Sequence, residues 1–246
     1  MKLYLIRHAQ SANNAAYFSG DYHKQHNSDP EITPLGHQQA ERVGQLLASP
    51  DLEPRQPPDM AEKTDFGLTH LYCSLMTRAI LTGGYIAQAC QLPLQAHHDI
   101  FERLGIYSYN DAGERVGLAG PNRDYFAQRF PELQLPDSIG QEGWWNRPVE
   151  TNEQFVARVA RAAADIWQRH GDSNDCVGLV VHGDFIDQFV NEILDVPRRP
   201  ANYDSAWEGN WAFHNTSVSR FDFVSGSPVV VYLNRVDHLP AEWITW

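Results

Sequence analysis

A chain of 246 residues, 42% hydrophobic and 20% charged, is long enough for one sizeable α/β domain, and no second independently folding unit is expected. Its formal net charge of -12 argues against nucleic acid or an anionic membrane as partner, because both reward clustered Lys and Arg. Cys73, Cys90 and Cys176 are scattered and odd in number, the amino terminus has no signal-peptide pattern, and no stretch approaches a membrane span, so a cytoplasmic protein is expected.

Leu3 to Ile6 are continuously apolar, which suits a strand covered on both faces of a parallel sheet. The run ends in Arg7, His8, Gln10, Ser11, Asn13 and Asn14, a set of polar groups at the carboxyl end of the strand. Residues 15 to 32 carry no clear period and predict a loop. Thr33 as N-cap and Pro34 in the first turn start a helix that continues through Leu35, Ala40, Val43 and Leu47 to about Ser49. Four prolines among charges at 50–66 predict a surface loop.

Leu68 to Cys73 resumes as a strand, Ser74 to Met76 turn, and a helix from Thr77 stops before Pro93. Leu94 to Ala96 can form a further strand. Residues 105–150 lose periodicity and gain Gly, Pro, Tyr and Trp, as an inserted lid would. Thr151 with Gln154 makes a capping box for a long amphipathic helix to about Arg169. Val177 to Val181 is an interior strand ending in His182-Gly183-Asp184, followed by a helix that Pro197 terminates. Val218 to Phe223 and Val229 to Leu233 read as a closing hairpin. The expected fold is a three-layer α/β/α domain over 1–246, with a mainly parallel central sheet, helices on both faces, one antiparallel edge strand and the inserted lid.

Strand, polar turn and helix thus recur three times, and the turns carry Arg7 with His8, Arg78, and His182. In a parallel sheet these positions share one rim, where two imidazoles and two guanidiniums can surround one tetrahedral dianion. Taken singly, each also has a plain structural reading: Arg7 and His8 as strand-end loop residues, His182 as a satisfied core histidine, Arg78 as half of a surface ion pair.

Four islands together resemble the histidine phosphatase superfamily, also called phosphoglycerate mutase-like. They are Arg7-His8-Ala9-Gln10-Ser11 with Asn14, Ser74-Leu75-Met76-Thr77-Arg78-Ala79, Phe101-Glu102-Arg103-Leu104-Gly105, and Val181-His182-Gly183; Asn215-Thr216-Ser217-Val218 looks like the family's last core strand. The chain departs from the pattern at Ala9 and Asp184, where Gly is usual, and lacks a Pro after Ser74. The resemblance implies that His8 is phosphorylated and that water then cleaves the phosphohistidine to release inorganic phosphate, with Glu102 as general acid and His182 assisting. Arg7, Asn14, Arg78 and Gly183 would bind the phosphate of a small phosphorylated molecule.

No metal or cofactor is expected. Asp184 and Asp187 lie near His182, but metal-ligand spacing is absent around His8 and the arginines would repel a cation. Gly105-Ile106-Tyr107-Ser108-Tyr109-Asn110 stands where mutases of the family carry Gly-x-Trp-Glu-Gly, which favours a phosphomonoesterase over a mutase; a non-catalytic phospho-ligand binding module is the remaining alternative. The aromatic residues Tyr107, Tyr109, Tyr125, Phe126, Phe130, Trp144 and Trp145 either roof the site or form the lid's own core. Arg115, Arg123 and Arg147 either read a second anion or lie in solvent.

Overall fold

The computed structural model describes residues 1–19, 25–49, 66–197 and 209–246. The apolar run after Met1 forms β1 (Lys2–Arg7), near the middle of a seven-stranded sheet. It pairs in parallel with β7 (Cys176–Val181), which pairs in parallel with β2 (His70–Cys73). Beyond β2 lie β3 (Leu94–Ala96) and β6 (Leu133–Gln134), both parallel. On its other side β1 is antiparallel to β8 (Val218–Val224), and β9 (Ser227–Arg235) covers β8.

Only β8 runs against the others, so the antiparallel strand lies one place inside the edge. The hairpin causes this: Ser225 and Gly226 both have positive φ, 51° and 83°, and turn the chain back within two residues. Pro228 sits on the resulting edge strand, where a missing N–H costs no interior ladder bond.

Alternation along β1 assigns its residues to two cores. Tyr4 and Ile6 point to one face with Val43, Ile80 and Phe101, while Leu3 and Leu5 point to the other with Phe155, Val159, Phe185 and Phe189. The first face is covered by α2 (Pro34–Ala48) packed on α3 (Thr77–Cys90), and the second by α5 (Asn152–His170) packed on α6 (Gly183–Leu194). Burial on both faces explains why β1 and β7 read as unbroken apolar runs.

Thr33 accepts the Gly36 amide and Pro34 opens α2; Thr151 and Gln154 close a reciprocal capping box on α5. Residues 15–32 differ from expectation, because α1 spans Ala12–Ser19. Its start is local: the Ser11 amide donates to Asn14 Oδ1 and the Asn14 amide to Ser11 Oγ. Two turns of small and polar residues are too short to show a period.

The segment between β3 and α5 contains a hairpin of β4 (Tyr107–Tyr109) and β5 (Arg115–Gly117), then α4 (Arg123–Arg129) and β6. Since β6 joins the main sheet, this part of the expected lid is a sheet edge. Phe126, Trp144 and Trp145 belong to the core beneath, where Phe101 lies 5.3 and 5.0 Å from the two indoles. The expected loop at 50–66 falls outside the described residues except for Phe66, which is buried against Tyr4. Among the described residues no helix is long and apolar enough to cross a membrane, and the three cysteines form no disulfide.

Candidate active site

Parallel pairing of β1, β7 and β2 brings their carboxyl ends to one rim, and the residues that follow converge there. His8 is buried, and its Nδ1 lies 2.7 Å from the Ala9 carbonyl oxygen. A carbonyl only accepts, so Nδ1 carries the proton and Nε2 keeps its lone pair. Arg78 Nε donates to that Nε2 at 3.1 Å, from the first turn of α3. The His182 ring stands 5.1 Å from the His8 ring, and both of its nitrogens are buried without a hydrogen-bond partner among the described residues.

Arg7 donates through Nη1 to the Phe213 carbonyl at 2.6 Å, while its buried Nε has no partner there either. Burial lowers its pKa to about 10 despite the favourable charges of Glu102 and Asp184. A Cβ at Gly183 would lie 3.5 Å from Arg7 Nε, an ordinary contact, so the glycine leaves one face of the guanidinium uncovered rather than relieving a clash. Burial first, then Arg78 and Arg7, holds the His8 pKa well below its usual value. Burial, Arg78 and His8 do the same to His182. Both imidazoles are neutral at neutral pH. Unpaired buried donors and acceptors each cost about 1–3 kcal/mol, so such a cluster is tolerated in a fold chiefly where a ligand satisfies it.

Glu102 lies in the loop after β3. It accepts from its neighbour Arg103 (2.9 Å), from the Phe185 amide (3.1 Å) and from the Asp184 amide (3.4 Å), and so caps α6, whose own N-cap His182 offers no side-chain bond. Burial, then the Asp184 charge, raises its pKa to about 7 against the opposing pull of Arg78, the Arg103 amide and Arg7. Asp29 plays the matching part at α3, accepting from the Thr77 amide at 2.9 Å and the Thr77 hydroxyl at 2.7 Å where Met76 supplies no cap. Both helices at the rim therefore take their caps from distant acidic residues.

Asn14 Oδ1 accepts from the Ser11 amide and hydroxyl and from Asn215 Nδ2 at 3.4 Å. Asn215, unassigned by the sequence, also donates to the His8 carbonyl at 3.0 Å, with Thr245 donating to its Oδ1. Next to it the Thr216 amide donates to the Arg7 carbonyl, with Thr216 at φ 55°. A β-branched residue in that region costs about 1–2 kcal/mol, so strain is held directly beneath the histidine. Gly36 has the same setting: a Cβ there would come within 2.3 Å of the Gln10 carbonyl, so only glycine lets α2 pack under the loop.

Several candidates face elsewhere. Gln10 accepts from Thr33, and Asn13 pairs with the backbone of Asn27. Asp187 accepts from the Asn210 and Trp211 amides, and Arg123 donates to the Ile139 and Pro136 carbonyls. Asp184 lies 3.8 Å from Arg103. Arg147 covers Trp145, and Arg115 lies over Tyr107, on which His26 stacks at 4.7 Å.

Arg158 supports the Glu102 loop from below. Fully buried in α5, it pairs with Glu150 at 2.7 and 2.8 Å and donates to the Asp99 and Phe101 carbonyls at 2.8 and 2.9 Å. Arg158→Met should strand Glu150 and cost about 3–5 kcal/mol in urea unfolding, and Glu150→Gln in the same chain should recover part of it. Equal stability of Arg158→Met and wild type would contradict this role.

The family model of the histidine phosphatase superfamily (branch 1) matches residues 3–56 and 60–236. Among solved structures, a mutant of phosphoserine phosphatase from Entamoeba histolytica in complex with phosphoserine is 22% identical, with a TM-score of 0.57 over 97% of this chain and 99% of that one. Alpha-ribazole phosphatase from Shigella flexneri is 17% identical, with a TM-score of 0.58 over 96% of each chain. Mycobacterial glucosyl-3-phosphoglycerate phosphatase with VO3 is 14% identical, with a TM-score of 0.57 over 96% and 99%. No curated protein matches the chain.

Proposed function

The chain belongs to the histidine phosphatase superfamily, and from that premise we propose that it is a metal-independent phosphomonoesterase acting through a phosphohistidine on a small phosphorylated metabolite. The observation that carries this is the protonation state of His8. Its Nδ1 proton is committed to the Ala9 carbonyl, so the Nε2 lone pair, which accepts from Arg78 Nε in this structure, is the one that attacks once Arg78 turns to the phosphate.

Nε2 of His8 attacks phosphorus in line and the P–O bond to the leaving group breaks; water then attacks the phosphohistidine and releases inorganic phosphate with His8 restored. Arg7, Arg78 and His182 hold the non-bridging oxygens, where charge sits in the transition state, with Asn14 and the Gly183 amide as neutral donors. An alkoxide leaves poorly without a proton, and Glu102, half protonated near pH 7, supplies one. Within residues 105–150 the β4–β5 hairpin, which begins only five residues after Glu102, acts as the lid on the leaving-group side.

Hydrolysis is preferred to mutase action because the segment after Glu102 lacks the mutase pattern. The test is incubation with p-nitrophenyl phosphate and with a panel of phosphometabolites, scoring released and transferred phosphate separately. Release without transfer, undiminished by EDTA, is the expected result; a mutase would return the phosphate to an acceptor, and a binding module would release none.

A further inference from the structure

We propose a second site at the opposite pole of the sheet, where His70, His170 and Asp175 bind one late first-row divalent cation such as Zn2+, independently of the phosphate chemistry. One ligand atom from each of the three lies within 4.8 Å of the others. His170 ends α5, Asp175 precedes β7 and His70 opens β2, so a shared ion would tie a helix end to the starts of two central strands. Asp175 and His182 flank β7, and seven residues of extended chain at ~3.3 Å each place the cluster about 20 Å from the active site.

The geometry is close to a coordination sphere. Asp175 Oδ2 lies 2.8 Å from His170 Nδ1 and 3.9 Å from His70 Nδ1. Tetrahedral Zn2+ with bonds of ~2.0–2.1 Å sets its ligand atoms about 3.3–3.4 Å apart, so the two Asp175 distances need to change by about half an ångström and the His70–His170 pair, which lies within 4.8 Å, by up to about 1.4 Å through side-chain rotation. The fourth position would fall to water.

In the metal-free chain the Asp175 carboxylate, which only accepts, holds the His170 Nδ1 proton at 2.8 Å, so the cation displaces that proton and the surrounding bonds can take up the other tautomer. Tyr72 Oη lies 3.1 Å from His170 Nε2 and can accept its proton, which leaves the Nδ1 lone pair toward the cation. The Thr69 hydroxyl lies 2.9 Å from His70 Nδ1, but also 3.2 Å from the Cys176 carbonyl, an alternative acceptor that releases Nδ1. The frame is rigid: the Thr69 amide donates to the Cys176 carbonyl, the Cys176 amide to Thr69 Oγ1, and Ser173 shapes the turn by accepting from the Asp175 amide and donating to the His170 carbonyl. His70 and Asp175 remain partly exposed, so an ion can enter. Two imidazoles with one carboxylate match Zn2+ better than Mg2+ or Ca2+, which favour all-oxygen shells.

Calorimetric titration of the metal-free full chain with Zn2+ is the test, with a parallel Co2+ titration read by visible absorption. One ion per chain is expected, with the strong absorption of tetrahedral Co2+. His70→Ala and Asp175→Asn should weaken binding at least ~10-fold, Tyr72→Phe should weaken it less, and His8→Ala should leave it intact. Hydrolysis by His70→Ala should equal that of wild type. Absence of binding, a silent Co2+ spectrum, or affinity lost in His8→Ala but kept in His70→Ala overturns the proposal. The cobalt spectrum needs only the wild-type chain, so the result does not depend on whether a variant folds.

Discussion

His8→Ala is expected to abolish turnover of every phosphomonoester, a loss on the order of 10^4-fold or more, while the protein stays folded. The size follows from the site. Arg7, Arg78 and His182 would still bind phosphate, but no other described nucleophile stands with a directed lone pair at the carboxyl end of β1. His182 is 5.1 Å away ring to ring and belongs to a different strand end, so it cannot replace His8 without rebuilding the rim. Folding should survive because the side chain makes only two bonds among the described residues, to its neighbour's carbonyl and from Arg78 Nε, and removing the ring takes away an imidazole that two guanidiniums already crowd. The measurements are p-nitrophenyl phosphate turnover, circular dichroism, and acid-quench trapping of the phosphoenzyme. Near-normal turnover by a folded variant, or phosphoenzyme formation without His8, would sink the nucleophile assignment.

Glu102→Gln is the second large effect, and it depends on the leaving group. Loss of a general acid costs about 10²–10⁴-fold where the leaving oxygen needs a proton, so alkyl phosphates should suffer by that factor and p-nitrophenyl phosphate far less. Glutamine keeps one oxygen for the Phe185 amide, which donates to Oε1 at 3.1 Å, and gives up only the longer 3.4 Å bond from the Asp184 amide to Oε2, so the main cap bond on α6 is retained while the proton is removed. The pH dependence has a definite sign. The acid works when protonated, its pKa stands at about 7, and the rate on alkyl phosphates should be full below that value and fall ~10-fold per pH unit above it. His8 adds no opposing limb near neutrality, because its own pKa is far lower and it remains a neutral nucleophile. In Glu102→Gln the alkaline limb should vanish. Equal losses on both substrate types would assign the proton elsewhere.

Much of the sheet was legible because burial on both faces writes itself as unbroken apolar runs, as at Leu3 to Ile6 and Val177 to Val181. Helix starts with local caps, at Thr33 and Thr151, were equally plain. The short α1 was not, since two turns of small and polar residues carry no period and its cap is an Asn three residues after a Ser. The role of β6 was hidden for a related reason: two residues of strand inside an irregular segment have no pattern, and only pairing with Leu94 and Gln95 defines them.

For the site, residue identity and position at strand ends were enough to nominate Arg7, His8, Arg78 and His182, because parallel pairing of interior strands sends their carboxyl ends to one rim whatever the loops do; Glu102 was nominated only through the family resemblance. What the order of residues could not carry is protonation and support. The His8 tautomer depends on where the Ala9 carbonyl turns. The raised pKa of Glu102 depends on burial beside Asp184, a residue 82 positions away in sequence. Asn215, Asp29 and Arg158 hold the site through bonds spanning 207, 48 and 57 positions. Electrostatics and hydrogen bonds act over a few ångströms of space, so these properties came into being only when the sheet and its two helical layers brought those groups together.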